Sequence, residues 1–263
     1  GYYMSQRILI IEDSRTVITF EQNLITQHLR KPTLVAKSFK EASEILKKDR
    51  DKIFIALVDI HLPDANNGEA VDLVLAYNLP TIVFTGTYDK EIRKEMMEKN
   101  ILTYLTKDPM TNFYNAIKII KQLDSNSAIK IMIVDDSKTA RTRLHQILDK
   151  YRFHVLEAND GKEAYALFTE HPDTTLILTD QNMPNMSGVE LTKKIRSSKN
   201  RDEVAIIGIS DERNKELTIE FLKSGCNDFI ARPFVEEEFI TRVQINLETQ
   251  AAFRRLNALA DKE

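Results

Sequence analysis

Two acidic pairs each close an apolar run, Glu12-Asp13 after 8–11 and Asp135-Asp136 after 131–134. Each pair is succeeded by a lone aspartate, a hydroxyl and a cation. These are Asp59, Thr85 and Lys107 in the first half, and Asp180, Ser210 and Arg232 in the second. The offsets between copies are 123 for Asp13 and Asp136, 121 for the lone aspartates, and 125 for the last two pairs. So small a drift fits an internal duplication with loop changes. Three carboxylates brought together repel one another unless a cation joins them. Hard oxygen donors of this kind suit Mg²⁺, which keeps several waters and takes one or two carboxylates plus phosphate oxygens. A carboxylate can accept a phosphoryl group as an aspartyl phosphate. A hydroxyl and a positive side chain are then what the remaining phosphoryl oxygens need. The residue types describe a metal-dependent phosphoryl-accepting site, present twice.

Such distant residues meet only if the fold delivers them to one edge. Short apolar, β-rich runs at 8–11, 34–36, 53–58, 81–84 and 102–105 alternate with amphipathic helical stretches. The second half repeats them at 129–134, 154–156, 176–179, 205–209 and 228–230. Alternation of this kind predicts a parallel sheet with helices on both faces. Five strands per half is the flavodoxin-like doubly wound pattern. In such sheets ligands bind beyond the carboxyl ends of the strands, and there the acidic pair, the lone aspartate, the hydroxyl and the cation all fall. Capping boxes, Ser38-Phe39-Lys40-Glu41 and Asp160-Gly161-Lys162-Glu163, open the second helix of each half. A helix over 112–123 precedes the polar stretch Asp124-Ser125-Asn126-Ser127, where the boundary between two domains is expected. From Val235 to the end there is neither Pro nor Gly, so a helix of about 43 Å can run on. Ile245, Ala252, Leu256 and Leu259 give it a weak heptad stripe.

Composition narrows the function classes. The chain has 263 residues, enough for about two ordinary domains, with 42% apolar and 29% charged residues, as in a globular protein. A net charge of −3 advertises neither a nucleic-acid nor a membrane surface. The one cysteine, Cys226, excludes an internal disulfide and reads as a buried apolar residue. No apolar run is long enough to span a bilayer, which with the lack of an export signal points to a bacterial-type cytoplasm. Gly1-Tyr2-Tyr3 stand ahead of Met4, which reads as the natural start. With seven glycines and no phosphate-binding glycine loop, nucleotide binding through such a loop is disfavoured. His28, His61, His145, His154 and His171 lack metal-ligand spacing. A phosphatase on a related fold would need a second Asp two residues after the nucleophile, where His61 and Asn182 stand.

With these motifs in view, both halves resemble receiver domains of two-component response regulators. Ile-Ile-Glu-Asp-Ser, Leu-Val-Asp-Ile-His-Leu-Pro and Tyr-Leu-Thr-Lys carry the resemblance in the first. Val-Asp-Asp-Ser, Leu-Thr-Asp-Gln-Asn-Met-Pro-Asn-Met-Ser-Gly and Phe-Ile-Ala-Arg-Pro-Phe carry it in the second. The resemblance implies that Asp59 and Asp180 accept a phosphoryl group from a histidine kinase or phosphotransfer protein. It implies that Asp13 and Asp136 hold Mg²⁺ directly, with Glu12 and Asp135 assisting through water. The acceptors Asp59 and Asp180 and the backbone carbonyls of His61 and Asn182 belong to the same shell. Thr85 and Ser210 would bond a phosphoryl oxygen, Lys107 would pair with the phosphoryl group, and Tyr104 and Phe229 take the aromatic switch position. Asn182 and Glu212 match residues that flank the site in the chemotaxis receiver.

The copies depart from the pattern differently. In the second, Arg232 replaces the family's lysine, an exchange that alters reach and geometry, and Asp211 adds a negative group beside Ser210 that could hinder an incoming phosphoryl. In the first, Asp108 separates Lys107 from Pro109, and a cis bond at Lys107–Asp108 would cost several kcal/mol more than one before proline, so that loop is expected to rearrange. The stretch from Asp59 to Gly68 exceeds that from Asp180 to Gly188 by one residue, and the shorter run from Asp59 to Thr85 implies a short third helix. The expected organisation is a receiver at 4–124, a receiver at 128–246 and a connector helix at 247–263 leading to an output domain beyond Glu263. The end of that helix, Leu256-Asn257-Ala258-Leu259-Ala260-Asp261-Lys262, resembles the lead into a GGDEF diguanylate cyclase, although no cyclase residue is present here. Alternatives are a DNA-binding or cyclic-dinucleotide hydrolase output, or an unphosphorylated interaction module. A homodimer through the apolar stripe is also expected.

Overall fold

The computed structural model describes residues 7–211 and 215–262; Gly1 to Met4 and Glu212 lie outside them. The chain divides into two compact units between Gln122 and Leu123. In the first, β1 (Arg7–Ile11), α1 (Arg15–His28), β2 (Thr33–Ala36), α2 (Phe39–Asp49), β3 (Ile53–Asp59), α3 (Glu69–Ala76), β4 (Thr81–Thr85), α4 (Lys90–Met97), β5 (Thr103–Thr106) and α5 (Thr111–Asn126) alternate. The second repeats them as β6 (Lys130–Val134), α6 (Lys138–Lys150), β7 (His154–Ala158), α7 (Gly161–Glu170), β8 (Leu176–Asp180), α8 (Gly188–Arg196), β9 (Ala205–Ser210), α9 (Lys215–Ser224), β10 (Asp228–Ala231) and α10 (Glu236–Ala260). Both sheets are five-stranded and all parallel, in the orders β2-β1-β3-β4-β5 and β7-β6-β8-β9-β10. This is the doubly wound, flavodoxin-like α/β fold read from the alternation of runs.

The apolar runs form strands because a central parallel strand is covered on both faces. All of β3 is buried. Along β6, Ile131 and Ile133 pack with α6 and α10, while Met132 and Val134 pack with α7, α8 and α9, the two-residue period of a strand. In the first unit an aromatic cluster, Phe20, Phe84 and Phe113, joins α1, β4 and α5, with ring centroids 5.2 and 5.0 Å apart.

Both capping boxes form. Ser38 accepts from the Glu41 amide at 3.1 Å, and Asp160 from the Glu163 amide at 2.8 Å. The return bonds go one residue further out than in the usual box, from the Lys37 and Asn159 amides to Glu41 and Glu163.

Several boundaries differ from the sequence reading. α5 continues to Asn126, so most of the polar stretch expected as linker is helical. α3 is only one residue shorter than α8. The shortening lies mainly in the connection to the next strand, 77–80 against 197–204. α10 spans 25 residues rather than the whole run from Val235. Its first half is buried through Phe239, Ile240, Val243 and Leu247, whereas Ile245, Ala252, Leu256 and Leu259 are exposed. The Lys107–Asp108 bond is trans; the cis bonds are Asp108–Pro109 and Arg232–Pro233. No helix among the described residues is long and apolar enough to cross a membrane.

Candidate functional site

The carboxyl edge of each sheet gathers the residues that the spacing singled out. Asp59, Thr85, Asp180 and Ser210 are the last residues of β3, β4, β8 and β9, and the acidic pairs follow β1 and β6 directly. In the first unit Glu12, Asp13 and Asp59 each place a carboxylate oxygen within 4.8 Å of the others. Asp135, Asp136 and Asp180 do the same in the second. Oxygen donors so closely spaced fit a small hard dication.

The first site is closed by its own lysine. Lys107 Nζ lies 2.6 Å from Glu12 Oε2 and 2.9 Å from Asp59 Oδ2. Glu12 also accepts from the Ser14 amide at 3.0 Å, and Asp59 from the His61 amide at 3.0 Å. Burial, with Asp59 adding repulsion, pushes the Glu12 carboxyl up to about 7 although Lys107 and the Ser14 amide oppose it. The β5–α5 loop, one residue longer between cation and proline, is tied down by Asn112. Its side chain donates to the Thr106 carbonyl and hydroxyl at 2.9 and 3.1 Å, and the hydroxyl donates to the Asp108 carbonyl at 2.6 Å. The rearrangement expected there is thus an ordered loop, with the Lys107 amide bonded to the Thr85 carbonyl at 2.8 Å.

The second site is looser. Arg232 reaches Asp135 at 2.8 Å, Asp211 at 3.5 Å and Asp180 only at 3.9 Å. Asp180 accepts from the Gln181 amide at 2.9 Å. Burial, followed by the charge of Asp135, raises its carboxyl to about 6. Asp211 therefore pairs with Arg232 as well as adding negative charge.

Glycines shape the loops that follow Asp59 and Asp180. Gly68 opens α3 at φ +80° and donates to the Ile60 carbonyl, a conformation that glycine adopts without strain. A Cβ at Gly188 would run into the Asp180 carbonyl.

The remaining candidates fall into place unevenly. Thr85 is buried with its hydroxyl donating to the Thr87 carbonyl at 3.1 Å, and Ser210 is buried. Tyr104 is buried near the Thr85 side chain, yet its hydroxyl makes no hydrogen bond of ordinary geometry. Phe229 is half-buried against Phe221, centroids 5.7 Å apart. The His61 ring bonds Asn66, and Asn182 is exposed on its loop.

One residue escaped the sequence reading. Glu21 of α1 is 4% exposed with Oε2 unpartnered, and burial together with the Glu12 charge holds its carboxyl well above the usual range. Its position on the stripe Ile18, Glu21, Leu24, Ile25, where the second copy has Leu144, was a readable signal.

The family model for the response regulator receiver domain matches residues 131–244. The chemotaxis protein CheY1 of Helicobacter pylori is 37% identical over 122 residues, covering 46% of this chain and 98% of that protein. This chain belongs to the response regulator receiver family. A CheY homologue of Campylobacter jejuni is 39% identical over 110 residues, 41% of this chain and 85% of its own length. A crystal structure described as a putative two-component system response regulator/GGDEF domain protein is 34% identical with a TM-score of 0.77, over 94% of this chain and all of that one. Receiver domains bind Mg²⁺ at an acidic pocket, and both carboxylate clusters fit that ion by donor type and spacing.

Proposed function

We propose that this chain is the regulatory part of a response regulator in which Asp59 and Asp180 accept phosphoryl groups from a histidine kinase or phosphotransfer protein. The observation that carries the reading is the full constellation, carboxylate triad, buried hydroxyl and cation, assembled at the carboxyl edge of both sheets. An Asp carboxylate oxygen attacks phosphorus, an O–P bond forms and the donor's N–P bond breaks, leaving the donor histidine to take a proton. Asp13 and Asp59, or Asp136 and Asp180, with the carbonyl of His61 or Asn182 and with Glu12 or Asp135 assisting through water, would hold Mg²⁺, which when bound would neutralise charge on the phosphoryl oxygens. Lys107 or Arg232 pairs with the new dianion, Thr85 or Ser210 turns towards it, and Tyr104 or Phe229 follows as the readable switch.

The proposed organisation is a receiver at 4–124, a receiver at 128–246 and a connector at 247–263. By likeness to the structure described as a response regulator/GGDEF protein, the output is a diguanylate cyclase domain following the connector. The exposed stripe of Ile245, Leu256 and Leu259 on α10 favours a second copy as partner, read by sedimentation with and without the phosphoryl mimic. The main test is addition of Mg²⁺ and beryllofluoride to the wild type, D59A, D180A and the double variant. Each single variant is expected to lose the response of its own unit only. A wild type with no spectroscopic or stability response would overturn the reading in favour of an unphosphorylated interaction module.

A further inference from the structure

Arg232 and Asp211 are departures that occur together. In the first unit the residue after the hydroxyl is Gly86, and Lys107 sits on both Glu12 and the acceptor Asp59. In the second, an acid occupies that position and a planar fork replaces the ammonium. Nη2 of the fork is committed to Asp135 at 2.8 Å. Nη1 lies between two carboxylates, 3.5 Å from Asp211 and 3.9 Å from the acceptor Asp180. Asp211 is 79% exposed, Asp180 15%.

We infer that Asp211 is a positioning residue that holds the Arg232 guanidinium off the acceptor until a phosphoryl group on Asp180 draws it away. The inference rests on the phosphoacceptor reading of Asp180. The two distances from Nη1 differ by a few tenths of an ångström, so a small turn of the fork exchanges one partner for the other. A dianion at Asp180 presents more charge and more acceptor atoms than a carboxylate, and a planar fork matches phosphate geometry. The exposed Asp211 then returns to water at small cost. Ser210 and Asp211 are adjacent, so the hydroxyl and the carboxylate that lose or gain a partner at this step sit on one short segment at the end of β9. A lysine in place of Arg232 carries a single point charge, and the first unit shows such a charge centred on Glu12 and the acceptor. The latch therefore needs both departures.

The test uses the full chain with Asp59→Ala, so that only Asp180 reports, and titrates beryllofluoride at saturating Mg²⁺. An exposed pair of this kind corresponds to about a two- to fivefold change in an equilibrium. D211N is expected to tighten beryllofluoride binding by that factor at low salt, and less at high salt, where exposed charges are screened. In an R232K background D211N is expected to leave the affinity nearly unchanged, and in the D59A chain itself the Arg232 side-chain NH resonances are expected to shift on binding. An unchanged or weakened affinity in D211N overturns the inference. Equal tightening with Arg232 or with lysine there also overturns it, since Asp211 would then act by repulsion alone. Failure of the D59A chain to bind beryllofluoride at all overturns the reading of Asp180 itself and the inference with it. Binding that is intact but indifferent to Asp211 overturns the inference only.

Discussion

The two carboxyl edges contain nearly the same residue types in the same order, yet one is closed and the other held open. In the first, Lys107 bonds Glu12 and Asp59 at 2.6 and 2.9 Å, and both carboxylates are almost fully buried. In the second, the cation is spread over Asp135, Asp211 and, weakly, Asp180. The difference comes from the shape of one cationic side chain and from the residue after the hydroxyl, Gly86 or Asp211. A point charge can centre itself between two acids; a planar fork divides itself among three. A ligand entering the first site would therefore have to displace a cation already seated on Asp59, whereas in the second Asp180 is barely engaged.

Removing the cation should expose this contrast most strongly. Lys107→Ala leaves Glu12 and Asp59 buried without a counter-charge, and breaking such a pair costs about 3–5 kcal/mol. Arg232→Ala is expected to cost less, because it strips the counter-charge from one buried carboxylate, Asp135, rather than two, while Asp211 is exposed and Asp180 is hardly paired. Urea unfolding in EDTA, followed separately for each unit, measures both. Equal losses would show that the two cations are equally seated and end the comparison.

The next largest effect is expected in α1. Glu21 stands where the second unit has Leu144, with a buried oxygen lacking a partner. A buried polar group left unsatisfied costs about 1–3 kcal/mol, so Glu21→Leu should stabilise the first unit by an amount in that range. An unchanged or lower urea midpoint would mean that Glu21 finds a partner in solution.

What was legible in advance divides along physical lines. Strands such as β3 and β8 read clearly, because burial on both faces demands continuous apolar runs. The acidic pairs, Asp59, Asp180, Thr85 and Ser210 read clearly because a strand end fixes where a side chain sits. Partner choice was not legible: the division of Arg232 among three acids depends on a few tenths of an ångström. Glu21 left a single trace, a polar member on the apolar stripe of α1 where the other copy has Leu144, because a helix stripe tolerates one such member without losing its period. Asp124, Ser125 and Asn126 looked like linker by composition, but a helix already begun at Thr111 propagates through such residues at modest cost. The short third helix was inferred from a total length, which cannot say whether helix or connection lost the residues.

Protons offer a further means of separating the sites. Glu12 is pushed up to about 7 and Asp180 to about 6, both chiefly by burial. Carboxyls raised in the fold stabilise it below their unfolded values near 4 and lose that contribution as pH rises through 7 and 6. The ion-free protein should therefore weaken as pH rises from about 4 to about 7, and Mg²⁺ should restore stability at the upper end. Protons compete with the ion, so affinity falls as pH falls, by about tenfold for each unit below the raised value. The first site is expected to lose Mg²⁺ at higher pH than the second. Mg²⁺ titrations of D59A and D180A between pH 5 and 8 would reveal the order, and coincident profiles would contradict the contrast in burial.

The smallest expected effect concerns how each acceptor loop is tethered. In the first unit Asp64 accepts from the Phe39 and Lys40 amides at 2.8 and 3.1 Å, holding the loop to the first turn of α2. In the second, Asn185, at φ +67°, donates to Asp160 at 2.8 Å, and the Gly161 amide donates to the Met186 carbonyl at 3.2 Å. The first tether satisfies two orphan helix amides through one side chain; the second keeps a backbone bond that no side-chain change removes. Asp64→Ala should therefore speed amide exchange at Phe39 and Lys40 and weaken Mg²⁺ at the first site by about twofold, as a loosened helix cap would. Asn185→Gly, which preserves the positive φ, should leave exchange at the start of α7 and Mg²⁺ at the second site nearly unchanged, because the Gly161 amide keeps its partner. If both substitutions loosen their helices equally, the extra residue in the first loop has no bearing on how firmly its acceptor is held, and the contrast between the sites reduces to the cation and its neighbour.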